Sequence, residues 1–286
     1  MNLSSQLSAF GEQVRECLSK ATSGAMSRAL SMCLTIAFTL TTMSACSAQS
    51  IEIAELTDQA LQIDGTVMYV NGTALDAVHG VVDRVTIEEY PLDPDYIMVR
   101  VRNADNVVVA STVHALDSLE AVIVSLGAGD DRYDNSTNVR EIVYGGAGGD
   151  ELWGGDGISW LYGEGGEDSL YGDYIDATYG AWGGNDVIHG GPDRDQIWGG
   201  TANDTLHGDE GNDTLTGNSG VDTLCGNDGN DSLIGGINGS DSVPDTLWGN
   251  AGADKFKRAF KPGFNPPVWE DILADFNAGQ GDSTYQ

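Results

Sequence analysis

A nine-residue period runs through the middle of the chain and holds its phase over ten consecutive units. From Gly145 the sequence divides into GGAGGDELW, GGDGISWLY, GEGGEDSLY, GDYIDATYG, AWGGNDVIH, GGPDRDQIW, GGTANDTLH, GDEGNDTLT, GNSGVDTLC and GNDGNDSLI, ending at Ile234. A longer unit, Gly235 to Trp248, carries an insert, and Gly249 to Lys257 is regular again. Upstream, Ser136 to Tyr144 is a degenerate unit, and Leu126 to Asp134 opens the array. A fixed short period of this kind excludes most folds, because each unit must stack on its neighbours to bury anything.

Two places in the unit carry the physics. The eighth reads Val143, Leu152, Leu161, Leu170, Tyr179, Ile188, Ile197, Leu206, Leu215, Leu224, Leu233, Leu247 and Phe256, all apolar or aromatic. One inward side chain per short strand gives a narrow stacked sheet its core. Each such burial is worth about 1.5–3 kcal/mol. The sixth place reads Asp150, Asp168, Asp186, Asp195, Asp204, Asp213, Asp222, Asp231, Asp245 and Asp254, with Glu141, Ser159 and Ala177 as exceptions. Most of the 39 glycines lie between Gly127 and Gly252, at the start of the units, where positive φ or close backbone approach is expected.

The acids need a counter-charge. The chain has 13 Lys and Arg against 44 Asp and Glu, a net charge of −31. That balance excludes nucleic acid as a partner and excludes adhesion to anionic lipid through a basic face. Strands stack about 4.8 Å apart. Two carboxylates at that spacing repel by about 3 kcal/mol at an effective dielectric near 20. A column of aspartates therefore calls for a bridging cation. Glycine-loop carbonyls and carboxylates are the oxygen ligands that calcium takes. No thiolate or imidazole cluster with the spacing of a zinc or copper site stands out.

The units resemble the GGxGxDxUx nonapeptide of the RTX, or hemolysin-type, calcium-binding repeat family. The resemblance implies an all-β fold, a parallel β-roll with a small N-terminal β cap. Six-residue turns would alternate with three-residue strands, and calcium ions would sit between turns two units apart. It makes calcium the cofactor, several ions per chain, and the sixth-place aspartates its ligands together with turn carbonyls. In unbroken alternation, Asp150, Asp168, Asp186, Asp204, Asp222 and Asp245 form one acidic column. Glu141, Ser159, Ala177, Asp195, Asp213, Asp231 and Asp254 form the other, with a weak start.

The flanks divide the chain further. Residues 1–46 read as an export signal: Lys20 and Arg28 precede an apolar stretch over 29–45. Met43-Ser44-Ala45-Cys46 then resembles a bacterial lipobox, with Cys46 as the lipidated residue and Met43 in place of the usual leucine. Cleavage near Ala48, giving a secreted form, and an uncleaved anchor are the alternatives. Met26 is a candidate true start. Cys17 and Cys33 would leave with the signal, and Cys225 would stand alone, so no disulfide framework is expected. Residues 47–125 read as a small β-domain or irregular first coils. Strands are expected near 61–63, 67–70, 85–87, 96–101, 107–110 and 121–124, separated by turn cues such as Asn71-Gly72. Residues 126–257 are the roll. Residues 258–286, with Pro262, Pro266, Pro267 and the Asp271–Phe276 segment, read as a C-terminal cap.

No enzyme is expected. His79, His114, His189 and His207 lie in no HExxH helix, and neither a GxSxG elbow nor a phosphate loop occurs. His189 and His207 hold the ninth place of alternate units, which reads as a surface ladder. Outward aromatics, among them Tyr144, Trp153, Trp160, Tyr162, Tyr171, Trp198 and Trp248, could pack across strands or offer a surface to a glycan or a protein. The sequence thus reads as an exported calcium-binding structural or cell-surface protein. A calcium-dependent adhesin or glycan-binding module is the alternative, and a carbohydrate-active enzyme is the remotest.

Overall fold

The computed structural model describes residues 61–64, 66–71, 84–103, 105–173, 183–236, 244–257, 260–261, 268–269 and 271–285. The signal segment, Met26 and Cys46 lie outside the described residues, as do Ala177, Tyr179 and the three prolines of the C-terminal region. Every described residue falls in one compact unit within 59–286.

Two long sheets, ten-stranded and eleven-stranded, make up most of the described chain, beside a two-stranded antiparallel sheet of Phe260–Lys261 and Val268–Trp269. Consecutive strands alternate between them through the array, and neighbours within a sheet are parallel. The front sheet stacks, among others, Glu141–Ala147, Ser159–Gly165, Val187–Pro192, Thr205–Gly211, Thr223–Gly229 and Thr246–Ala251. The back sheet stacks Glu151–Trp153, Ser169–Tyr171, Gln196–Thr201, Thr214–Ser219, Ser232–Gly236 and Lys255–Lys257. Register keeps the eighth places in line. Val143, Leu161, Ile188, Leu206, Leu224 and Leu247 form one spine, and Leu152, Leu170, Ile197, Leu215, Leu233 and Phe256 the other. All twelve are fully buried. The core is this double row of single side chains, as an apolar residue at every ninth position requires.

The ladders correct one feature of the alternation. Ser169–Tyr171 pairs directly with Gln196–Thr201, and Ser159–Gly165 with Val187–Pro192. At these two steps the partners are 27 residues apart, against 18 at the regular ones. The unit around Ala177 is therefore passed over in both ladders, and every later strand exchanges sheets relative to a strict count. The sequence offers a reason. Gly172–Gly180 has glycine at neither the second nor the fourth place, has Ala177 at the sixth and puts the bulky Tyr179 at the eighth.

The sheets run on beyond the repeats at both ends. Val67–Asn71 pairs in parallel with Ala121–Ala128, and Arg84–Glu89 with Arg132–Asn135. Met68, Val70, Val85 and Ile87 extend the same core. Antiparallel strands then cover the N-terminal edges. Leu61–Asp64 lies on the front sheet, and Tyr96–Arg102 and Val108–Ala115 on the back. At the C-terminal end Ile272–Leu273 joins the front sheet and Ser283–Tyr285 the back sheet.

Candidate metal centre

The turns between strands place the sixth-place residue at the mouth of each strand. Two columns result. On the back edge they read Asp131, Asp150, Asp168, Asp195, Asp213, Asp231, Asp254 and Asp282. In each successive pair the N–H of one aspartate donates to Oδ1 of the next, over 2.7–3.1 Å. On the front edge Ser159 donates in the same way to Asp186, then Asp186 to Asp204, Asp204 to Asp222, Asp222 to Asp245 and Asp245 to Asp271. The columns drawn from strict alternation therefore exchange members beyond Asp168. Asp186, Asp204, Asp222 and Asp245 belong with Ser159, while Asp195, Asp213, Asp231 and Asp254 continue from Asp150 and Asp168.

All ten aspartates singled out in the sequence are buried. One oxygen of each is committed to the neighbouring rung. The other, Oδ2 of Asp150, Asp168, Asp186, Asp195, Asp204, Asp213, Asp231 and Asp254, accepts no hydrogen bond within the protein. A buried anionic oxygen without a partner is costly. Its surroundings show what it suits. Asp168 folds back over its own first-place Gly163, and a Cβ built on that glycine would overlap both Asp168 Oδ2 and the Gly190 carbonyl one rung on. Asp195 stands in the same relation to Gly190 and the Gly208 carbonyl, and Asp213 to Gly208 and the Gly226 carbonyl. Each rung thus brings a carboxylate oxygen and a backbone carbonyl of the next rung to one point, an all-oxygen donor set of the kind calcium takes.

Electrostatics agree with this reading. Burial, with added repulsion from neighbouring acids, raises the Asp195 carboxyl to about 6, Asp150, Asp213 and Asp231 to about 7, Asp168 and Asp186 to about 8 and Asp204 to about 9. The bond from the adjacent N–H pulls each back only in part. These are groups whose charge the protein alone does not balance.

The front edge starts differently. Glu141 is fully buried and its carboxylate is satisfied by protein donors. Ser159 Oγ and the Gly155 N–H donate to Oε1 at 2.8 and 3.0 Å, and Tyr133 and Asn135 donate to Oε2. Here protein donors replace a cation, in keeping with the weak start expected for that column. Three residues escaped the sequence reading as column members. Asp131 lies in the opening unit, and Asp271 and Asp282 lie in the segment read as a C-terminal cap. Each precedes a short strand in register with the roll, and the Asp271-Ile272-Leu273 triplet is the signal that could have revealed it.

A sequence model of the RTX calcium-binding nonapeptide repeat matches the chain in four copies, over 144–173, 183–215, 198–233 and 244–256. The match breaks between 173 and 183, where the ladders pass over a unit, and again across the insert before Pro244. No curated protein matches the chain. The repeats of residues 144–256 are RTX calcium-binding nonapeptide repeats, stacked as a parallel β-roll that binds several calcium ions.

Proposed function

We infer that calcium is what completes the fold, and that the protein is a calcium-folded structural or cell-surface protein, not an enzyme. The observation that carries this is the row of buried Oδ2 atoms that accept no bond within the protein. Asp150, Asp168, Asp195, Asp213, Asp231 and Asp254 would hold ions along the back edge, and Asp186, Asp204, Asp222 and Asp245 along the front, with first-place glycine carbonyls. A bound calcium supplies positive charge between successive rungs. The residues supply the rest: a fixed carboxylate, a fixed carbonyl and the exclusion of water. Folding is then linked to ion concentration.

Export agrees with this role, because free calcium is plentiful outside cells. The apolar stretch 29–45 and Cys46 support a lipoprotein signal. The domain limits at 46, 125 and 257 belong to the same reading. Labelled palmitate should be incorporated by the wild-type chain and not by Cys46→Ala. The glycan-binding alternative finds less support. Trp153, Tyr171 and Trp198 stack on one another with centroids 3.8 and 4.5 Å apart, so their faces meet each other and their edges face outward.

Calcium titration of the chain from Ser47 onward, followed by far-ultraviolet circular dichroism, tests the proposal. A cooperative gain of β signal is expected with calcium and not with magnesium. Asp213→Ala should raise the midpoint, whereas Asp228→Ala, at an exposed position outside the aspartate columns, should leave it in place. A chain with full β signal in chelator, or equal effects of the two substitutions, would overturn it.

A further inference from the structure

The outer face of the front sheet gathers donors of a different kind. The ninth places stack in register: Tyr162 faces His189, His189 faces His207, and His207 faces Cys225. The rings of His189 and His207 are nearly parallel, their centroids 4.4 Å apart. Asp209, at the second place of the turn that follows His207, adopts a left-handed conformation with φ of 72°. Its Oδ2 lies 3.0 Å from His189 Nδ1, and its Oδ1 meets Asn227 Nδ2 at 3.4 Å. Ligand atoms of His189, His207 and Asp209 all lie within 4.8 Å of one another. The sequence reading found no such cluster, because strict alternation gives no hint that a turn residue reaches over the preceding ladder.

We propose that His189, His207 and Asp209 form a second metal site, selective for a borderline divalent transition ion such as zinc, and distinct in chemistry from the calcium turns. Two imidazole nitrogens and one carboxylate oxygen suit zinc, cobalt, nickel or copper, whereas calcium prefers oxygen alone. Three protein ligands leave a position for water. The site is partly built before any ion arrives. Strand register holds the two imidazoles one rung apart, and Tyr162 stacks on the far face of His189 at 5.4 Å. His189 and Asp209 side chains are about one-third exposed, at 32% and 37%, so an ion can reach them from solvent. The pair also accounts for a carboxylate beside the histidine ladder, which the calcium columns do not use.

The test uses the calcium-saturated chain, so that the turns are filled and the roll is folded. Cobalt is added and followed by its visible absorption, and zinc by calorimetry, with histidine ring signals read by nuclear magnetic resonance. One saturable site per chain is expected, with the His189 and His207 signals shifting and the others staying in place. His207→Gln and Asp209→Asn should each abolish that site while the calcium-dependent circular dichroism stays as in the wild type. That control separates loss of this site from failure of the calcium-folded reading. Cys225→Ser should keep the site. The proposal falls if the chain takes up no cobalt or zinc, if uptake persists in the His189→Gln, His207→Gln double variant, or if added calcium displaces the ion.

Discussion

At the scale of single residues, the aspartates are held in two ways at once. In Asp213, for example, Oδ1 accepts from the N–H of Asp195 on the preceding rung, and Oδ2 accepts no hydrogen bond within the protein. The fold without its ions therefore favours the protonated acid. Ordinary aspartate titrates near about 4, while Asp195 is raised to about 6, Asp168 to about 8 and Asp204 to about 9. A carboxyl whose folded value is raised contributes stability that is complete below its unfolded value and disappears as pH climbs through the folded one. The calcium-stripped roll should accordingly be most stable at about pH 4 and lose urea resistance steadily from there to about pH 9, as the carboxyls from Asp195 to Asp204 ionise in turn. With calcium present the order reverses, since protons then compete with the ion. Urea midpoints at pH 5 and pH 8.5, with and without calcium, check both signs. A calcium-stripped chain equally stable at the two values would contradict the burial described. First-place glycines make a second residue-scale prediction. Gly163→Ala places a methyl against Asp168 Oδ2 and the Gly190 carbonyl. It should cost about 1–3 kcal/mol, measured by denaturant unfolding in calcium, and weaken calcium binding.

At the scale of the repeating element, the spine of eighth-place residues was legible because each apolar position marks a strand and the period fixes which strands align. Leu161, Ile188 and Leu206 sit where the pattern puts them. What the pattern could not reveal was the unit that the ladders omit. Gly172–Gly180 keeps the length of a unit, and length alone preserves phase in a sequence while the fold is free to skip a rung. That is why Asp186 and Asp195 were assigned to the wrong columns although both were recognised as column members. The His189, His207 and Asp209 cluster was missed for a related reason: a contact between a strand and the turn after the next strand has no periodic signature. A deletion tests the skipped rung. Removing 172–180 leaves each later strand in its sheet, so the calcium-dependent fold should survive with a small loss of thermal stability. Removing the equally long 208–216 puts every later strand in the other sheet and should lower the melting temperature far more. Equal losses from the two deletions, measured by calorimetry in calcium, would restore the unbroken alternation.

At the scale of the whole molecule, both rows of inter-rung bonds run the same way. Each rung's N–H is satisfied by the carboxylate of the rung after it, from Asp131 to Asp282 on one edge and from Ser159 to Asp271 on the other. The two ends are therefore unlike. A cut at the N-terminal side strips a donor from an acceptor that water can serve. A cut at the C-terminal side leaves buried N–H groups bare on the last two rungs and removes the edge strands Ile272–Leu273 and Ser283–Tyr285. Truncation after Lys257 should therefore destabilise the calcium-bound chain more than removal of residues up to 83, as read by the calcium concentration at half folding. The stack has a direction, like an arch keyed from one end. Every rung leans on its successor, so a chain emerging N-terminus first can close each rung only once the acid of the next has arrived, and its last two rungs only with Asp271 and Asp282.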